Sequence, residues 1–102
     1  MALLEFSITP LGAGESVGQY VARCVDLVDR SGLNYRLHAM GTVVEGDLGE
    51  LLDLVKRCVE AVAVDCDRVS LSAKLDYRKG HAGALDDKIA SIEKRLGRPV
   101  KK

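Results

Sequence analysis

The residues of this sequence that could do chemistry are mainly acids placed where strands should end. Glu45 and Asp76 each lie near the end of an alternating run of apolar and polar residues, the pattern of a half-buried strand. Acids at such positions act either as turn formers or as ligand contacts. A carboxylate partly shielded from water favours a cationic or amine-bearing ligand, because charge-assisted hydrogen bonds gain strength there. From spacing alone, both interpretations stay open.

Other reactive residue types form no catalytic or metal-binding pattern. There is no nucleophile triad, and His38 and His81 lack a His or Cys partner at zinc spacing. The loop 10–14, Pro-Leu-Gly-Ala-Gly, leads to a helix start whose free amides could hold an anion. It lacks a P-loop lysine and the full dinucleotide-binding glycine pattern, so a plain turn is favoured. We therefore predict no catalytic residue, no metal site and no cofactor.

Composition bounds the chain to one small domain. The 102 residues are 47% hydrophobic, and 15 basic residues balance 15 acidic ones. A protein without net charge has no overall electrostatic attraction to nucleic acid or to an anionic membrane. With only four aromatic residues, the chain is also poorly suited to an RNA-binding sheet, on which exposed aromatic side chains stack against bases. The N-terminal run has neither a basic flank nor the length of a signal peptide or membrane span.

Cysteine use points to a reducing compartment. The three cysteines, Cys24, Cys58 and Cys66, show no C-x-x-C spacing, and two of them fall at apolar positions of helical patterns. Buried, reduced thiols are the favoured interpretation over a disulfide or a zinc site. We predict a cytoplasmic protein.

Hydrophobic periodicity predicts the order strand, helix, strand, strand, helix, strand, helix. Ser16 and Gln19 suggest a capping box for the first helix, and Asp47 with Glu50 suggests one for the second. The predicted elements are a strand at 3–9 ended by Pro10, a helix from Ser16 to Ser31, two short strands between Leu33 and Glu45 with Gly41 as the pivot, a helix at 48–62, a strand at 68–77 and a helix at 85–96.

This order predicts an α+β fold, a ferredoxin-like βαββαβ sandwich with a four-stranded antiparallel sheet and an extra C-terminal helix. We place the single domain at 1–97 and a flexible basic tail at 98–102. Both crossover helices should cover one sheet face. The opposite face would carry the polar sides of the first and last strands, including Glu5 and Lys74. That face must be either open to water or closed by another subunit, so we expect a homo-oligomer.

Three stretches carry a family resemblance. They are Ser-Val-Gly-Gln-Tyr-Val-Ala at 16–22, the block at 31–46 that ends in Met-Gly-Thr-Val-Val-Glu-Gly, and Arg68-Val69 leading to Lys-Leu-Asp-Tyr-Arg at 74–78. In the order and spacing of these stretches, the chain resembles the YkoF-like thiamine-binding protein family. The resemblance spans the chain from the first strand to the third helix, and the Met-Gly-Thr-x-x-Glu-Gly block is its most specific part.

The resemblance implies a ferredoxin-like fold, a tetramer built as a dimer of dimers, and binding of thiamine or its hydroxymethylpyrimidine part without catalysis. It also implies a set of ligand-binding residues in the central and last motifs. Arg78 is a further candidate, at the end of the last motif. The candidates at the motif positions are Tyr35, Met40, Gly41, Thr42, Glu45, Lys74 and Asp76, and we add His38, which lies beside the central motif.

Two departures from the family pattern concern the ligand more than the fold. Ala39, preceded by His38, stands where relatives usually have a proline before Met-Gly-Thr. Tyr77 replaces the usual acid after Lys-x-Asp, and Lys79 follows Arg78. The first change could alter the pocket beside the hairpin, and the second makes the strand end less acidic.

Three functional hypotheses follow. The favoured one is an oligomeric carrier of thiamine or a pyrimidine-like ligand, inserted in no membrane and bound to no nucleic acid. The alternative is a structural or regulatory homo-oligomer with no thiamine site. The least favoured is an enzyme of phosphate or acyl chemistry at the Gly12–Gly14 loop, which offers only Glu15 and Ser16 as nearby functional groups.

Overall fold

The strands and helices follow the order that the periodicity predicts. The computed structural model describes residues 1–12, Gly14 and 17–102. The elements are β1 (Ala2–Leu11), α1 (Gly18–Arg30), β2 (Asn34–His38), β3 (Gly41–Gly46), α2 (Leu48–Ala63), β4 (Arg68–Tyr77) and α3 (Ala84–Leu96). None of the helices in the described ranges is both long and apolar enough to span a membrane.

The strands form one antiparallel sheet in the order β2-β3-β1-β4. This arrangement and the C-terminal helix confirm the predicted ferredoxin-like sandwich. The register pairs Leu3 with Glu45 on one side and with Asp76 on the other. Because directly opposed residues of antiparallel strands point to the same face, both acids share the face of Leu3. Glu5 lies opposite Lys74 on that same face, as expected.

The core lies between the other face of the sheet and helices α1 and α2. Alternate residues of β1, among them Leu4, Phe6 and Ile8, are buried there because successive strand side chains point to opposite faces. The helices supply side chains at helical spacing, including Cys24, Val28 and Leu51. Both crossover helices therefore cover one face, as predicted.

Two strand boundaries differ from the sequence-based expectation. Strand β1 continues through Pro10 to Leu11, although Pro10 was predicted to end it. Pairing with β3 stops at Phe6, so β1 is flanked at Pro10 by β4 alone and tolerates a residue without an N–H. The hairpin turns at residues 39–40, and Gly41 is the first residue of β3 instead of the pivot.

The predicted helix caps were correct only in part. Asp47 occupies the N-cap position of α2, but its side chain makes no capping hydrogen bond. Val17 occupies the N-cap position of α1, and the predicted cap Ser16 lies outside the described residues. Gly97 ends α3 in the left-handed conformation with φ of 70°, which a residue without Cβ adopts at little cost.

Helix α3 lies on the sheet face opposite α1 and α2. Its first turns contact three strands. Asp86 forms an ion pair with Arg36 of β2, the Leu85 amide donates a hydrogen bond to Glu45 of β3, and Lys88 donates one to Asp76 of β4. Further along the helix Ile92 and Leu96 are half exposed. The helix thus covers one end of the polar face and leaves the rest, including Glu5 and Lys74, open.

Candidate functional site

A cavity of about 750 Å³ lies between α3 and the end of the sheet that α3 covers. We call it the α3 cavity. It is open to solvent on one side and is bordered by the start of β1, the ends of β3 and β4, the β4–α3 loop and one side of α3. Its lining residues are Met1, Ala2, Leu3, Glu45, Asp76, Arg78, His81, Ala84, Asp87, Lys88, Ser91 and Ile92.

Glu45 is the most shielded acid of this cavity. Only 7% of the residue is exposed, and its Oε2 accepts a hydrogen bond from the Leu85 amide at 3.4 Å. The contact places a carboxylate at the positive N-terminal end of α3, which favours negative charge. Across residues 1–12, 14 and 17–102, no basic side chain forms an ion pair with Glu45. A shielded carboxylate that faces a cavity without a counter-cation can bind one.

Asp76 is the second predicted acid in the α3 cavity. Its Oδ2 accepts a hydrogen bond from Lys88 Nζ of α3 at 2.5 Å. This hydrogen bond, and the positive charge of Lys88, hold the pKa of Asp76 below its usual range. Asp76 and Glu45 thus line one cavity, but Asp76 already has a positive partner and Glu45 has none.

The hairpin candidates line a different cavity. His38, Met40, Gly41 and Thr42 border a space of about 330 Å³ between the β2–β3 hairpin, β1 and α1, which we call the hairpin cavity. Thr42 is buried, whereas Met40 at the turn is 83% exposed. The remaining walls are largely apolar, with Phe6, Val21 and Leu37 among them. The structure therefore divides the predicted ligand-binding residues between opposite ends of β3.

Tyr35 and Lys74 belong to neither cavity. The Tyr35 ring packs partly buried against the core, and its hydroxyl donates a hydrogen bond to Asp29 Oδ1 at 2.9 Å. That hydrogen bond raises the pKa of Tyr35. Lys74 borders a small groove of about 190 Å³ on the open polar face, together with Met40 and Glu5.

Several cavity residues escaped the sequence analysis. His81 was considered only as a metal ligand, and Asp87, Lys88 and Ile92 were treated only as part of an amphipathic helix. Their position depends on α3 folding back over the polar face, which local periodicity does not specify. One signal in the sequence could have indicated this packing. Leu85, Ile89 and Ile92 form an apolar stripe, and such a stripe usually packs against another part of the protein.

Metal chemistry finds no support in the described part of the chain. Within it, no cluster of three or more His, Cys, Asp or Glu side chains could hold a metal ion. All three cysteines are free thiols. Cys24 and Cys58 lie in the core between α1 and α2, and a hydrogen bond with Cys24 together with burial raises the pKa of Cys58.

Comparison with known proteins places the chain in a family. A family model described as thiamine-binding protein matches residues 4–93. The chain belongs to the thiamine-binding protein family. A UPF0045 protein of Mycobacterium bovis is 46% identical over 98 residues, covering 95% of this chain and 96% of the relative. The family assignment indicates a small-ligand-binding role, and it names no reaction.

Solved structures of this family share the fold. A hypothetical protein of Methanocaldococcus jannaschii superposes with a TM-score of 0.82 at 40% identity, covering 89% of this chain and 94% of that protein. A domain of unknown function, DUF77, from Bacillus cereus superposes with a TM-score of 0.78 at 32% identity, covering 86% of each chain. These likenesses, together with the strand order, confirm the ferredoxin-like architecture.

Proposed function

We propose that this member of the thiamine-binding protein family binds thiamine or its hydroxymethylpyrimidine part in the α3 cavity. The observation that carries the proposal is Glu45, a shielded carboxylate that faces the cavity and forms no ion pair among the described residues. A cationic or amine-bearing group would supply that charge. Asp76 would add a second acceptor where Lys88 moves aside.

The chemistry of thiamine matches the walls of this cavity. The compound carries a permanently charged thiazolium ring and an aminopyrimidine that can exchange hydrogen bonds. Leu3 and Ile92 offer apolar surface for a ring, and Ser91 offers a hydroxyl. Such sites usually combine apolar walls with a few polar groups that fix orientation.

We further propose that the protein acts as a cytosolic, oligomeric carrier and catalyses no reaction. Three free cysteines suit a reducing compartment. The open polar face and the exposed strand β4 suit assembly of a homotetramer as a dimer of dimers. The hairpin candidates His38, Met40, Gly41 and Thr42, with Tyr35 and Lys74, remain proposed ligand contacts for a site completed by assembly.

The proposal is tested by calorimetric titration of the purified protein with thiamine and with hydroxymethylpyrimidine. Glu45→Gln should weaken thiamine binding about tenfold or more, because it removes a charge-assisted contact at nearly constant volume. Glu60→Gln, on the exposed side of α2, is the matched control and should leave binding unchanged.

Glu45 also accepts a hydrogen bond from the Leu85 amide, so the Glu45→Gln variant must be checked for an intact α3. A glutamine oxygen can still accept this hydrogen bond, and circular dichroism should show unchanged helix content. Binding by Glu45→Gln equal to that of the unaltered protein would remove Glu45 from the site. No heat and no thermal shift with either compound would leave the alternative, a structural or regulatory oligomer with no thiamine site.

A further inference from the structure

The α3 cavity is lined by charges of both signs. Besides its acids, it exposes the side chains of Arg78, His81 and Lys88. A simple cation would gain from Glu45 but would be repelled by uncompensated bases. The cavity therefore suits a molecule with charges of both signs better than a cation alone.

Two of these bases have no protein partner. Lys88 is already paired with Asp76, whereas within residues 1–12, 14 and 17–102 neither the Arg78 nor the His81 side chain makes a hydrogen bond or an ion pair. A turn brings the backbones of the two residues together, since the His81 amide donates a hydrogen bond to the Arg78 carbonyl at 3.3 Å. An arginine next to a histidine is a suitable pair for the oxygens of a phosphate, because the planar guanidinium can bond two of them.

The chain geometry places Arg78 closer to Asp76 than to Glu45. The Arg78 amide donates to the Met1 carbonyl at 3.4 Å, which prolongs the pairing of β4 with β1 beyond Tyr77. Residues two apart in an extended strand point to the same face with their Cα atoms about 6–7 Å apart, which is the spacing expected for Asp76 and Arg78. Glu45 lies two strands across the sheet from Asp76, about 10 Å by the usual spacing of neighbouring strands. A ligand that reaches from Glu45 to Arg78 must therefore carry its charged groups at opposite ends of an extended molecule.

The N-terminal end of α3 lies at the same cavity. Ala84, its first residue, lines the space, and the positive end of a helix favours an anion. Glu45 already places one carboxylate at this helix end, and Asp87 carries another in the first turn of α3. The Arg78 and His81 side of the cavity is thus left for the anion.

We infer that the α3 cavity binds a phosphate monoester of the thiamine or hydroxymethylpyrimidine type, with the amine or cation toward Glu45 and the phosphate on Arg78 and His81. The inference rests on the proposed function and specifies its ligand. It makes the phosphorylated compound, not the free alcohol, the preferred form.

Calorimetric titrations with thiamine, thiamine phosphate and hydroxymethylpyrimidine phosphate test it. The unaltered protein should bind thiamine phosphate about tenfold more tightly than thiamine, because the phosphate adds charge-assisted hydrogen bonds. Arg78→Gln should bind thiamine and thiamine phosphate with equal affinity, and His81→Gln should reduce the preference for the phosphate. Arg57→Gln, on the exposed side of α2, is the matched control and should keep the preference. The pyrimidine compound shows whether the phosphate suffices without a thiazolium cation.

The outcomes separate the two proposals. Equal affinity for thiamine and thiamine phosphate overturns the inference and leaves the proposed function standing. A preference that survives in both Arg78→Gln and His81→Gln also overturns it, since the phosphate then binds elsewhere. If none of the three compounds binds, both proposals fall.

Discussion

At the scale of single residues, Gly41 shows how a side chain can be excluded by the neighbouring strand. A Cβ built on Gly41 would lie 2.8 Å from the Phe6 carbonyl oxygen, closer than such atoms approach one another. The sequence motif indicated that Gly41 mattered but suggested a turn as the reason. The actual reason is close approach of β3 to β1, which depends on strand pairing between distant residues.

Gly41→Ala should therefore destabilise the fold by about 1–3 kcal/mol, the usual cost of forcing an extra methyl group into packed surroundings. Gly49 is the matched control, because a Cβ there meets nothing within 4 Å and the residue lies in α2. Gly49→Ala should stabilise the protein by about 0.5–1 kcal/mol. Urea unfolding of both variants gives the free energies, and equal effects would contradict the argument.

Glu45 illustrates what local sequence can and cannot indicate about the candidate site. Its position near a strand end next to an apolar run indicated partial shielding from water. Its hydrogen bond to the Leu85 amide joins residues 40 positions apart, and no local pattern contains that contact. Sequence therefore indicated Glu45 and Asp76, two acids that line the α3 cavity, but it did not indicate their neighbours on α3, among them Asp87.

At the scale of elements, Arg23 of α1 binds the C-terminal end of α2 and the segment that follows it through several hydrogen bonds. Arg23 makes two 2.8 Å hydrogen bonds to the Asp65 carboxylate and a third to the Ala61 carbonyl at 3.1 Å. Its guanidinium also lies 4.9 Å from the centroid of the Tyr20 ring. Periodicity predicted both helices well, because apolar spacing is a local signal. It could not indicate that an arginine of one helix holds the end of the other.

This contact gives the stability a predictable pH dependence. The hydrogen bond from Arg23 lowers the pKa of Asp65 in the folded state below the unfolded value of about 3.9. The stabilisation is therefore present above about pH 4 and is lost as the pH falls through the folded pKa. Asp65→Asn should lower the free energy of unfolding at pH 7, and the difference from the unaltered protein should shrink toward pH 2.

Chemical denaturation between pH 2 and pH 7 measures this difference. Arg23→Gln should cause a similar pH-dependent loss, and the double variant should lose little more than either single one, because both remove the same pair. A difference between Asp65→Asn and the unaltered protein that stays constant over this range would contradict the assignment.

At the scale of the whole molecule, one chain leaves much surface uncovered. The radius of gyration is 15.0 Å, against about 13 Å for a compact domain of this length. Strand β4 is an edge strand of 10 residues, and Leu71, Leu75 and Tyr77 on it are between 41% and 57% exposed. Long, exposed, partly apolar edges tend to pair with another chain. The sequence predicted a polar face that is open to water or closed by another subunit, but not that the apolar side of β4 would also be exposed.

We therefore expect light scattering to give a mass of four times the 11.0 kDa chain. Leu71→Lys should shift the protein toward smaller species, because a charge on the edge strand opposes pairing with a second copy. Val64→Lys, at a position already 82% exposed after α2, should leave the mass unchanged. A monomer at all concentrations would refute the proposed assembly.

The central claim, a ligand site at Glu45 beneath α3, is tested most directly by a crystal structure of the protein grown with saturating thiamine. We predict density for the compound in the α3 cavity, with a positively charged or amine group within 4 Å of a Glu45 carboxylate oxygen, the outer limit of an ion pair. Density in the hairpin cavity beside Thr42, with the α3 cavity empty, would contradict this account.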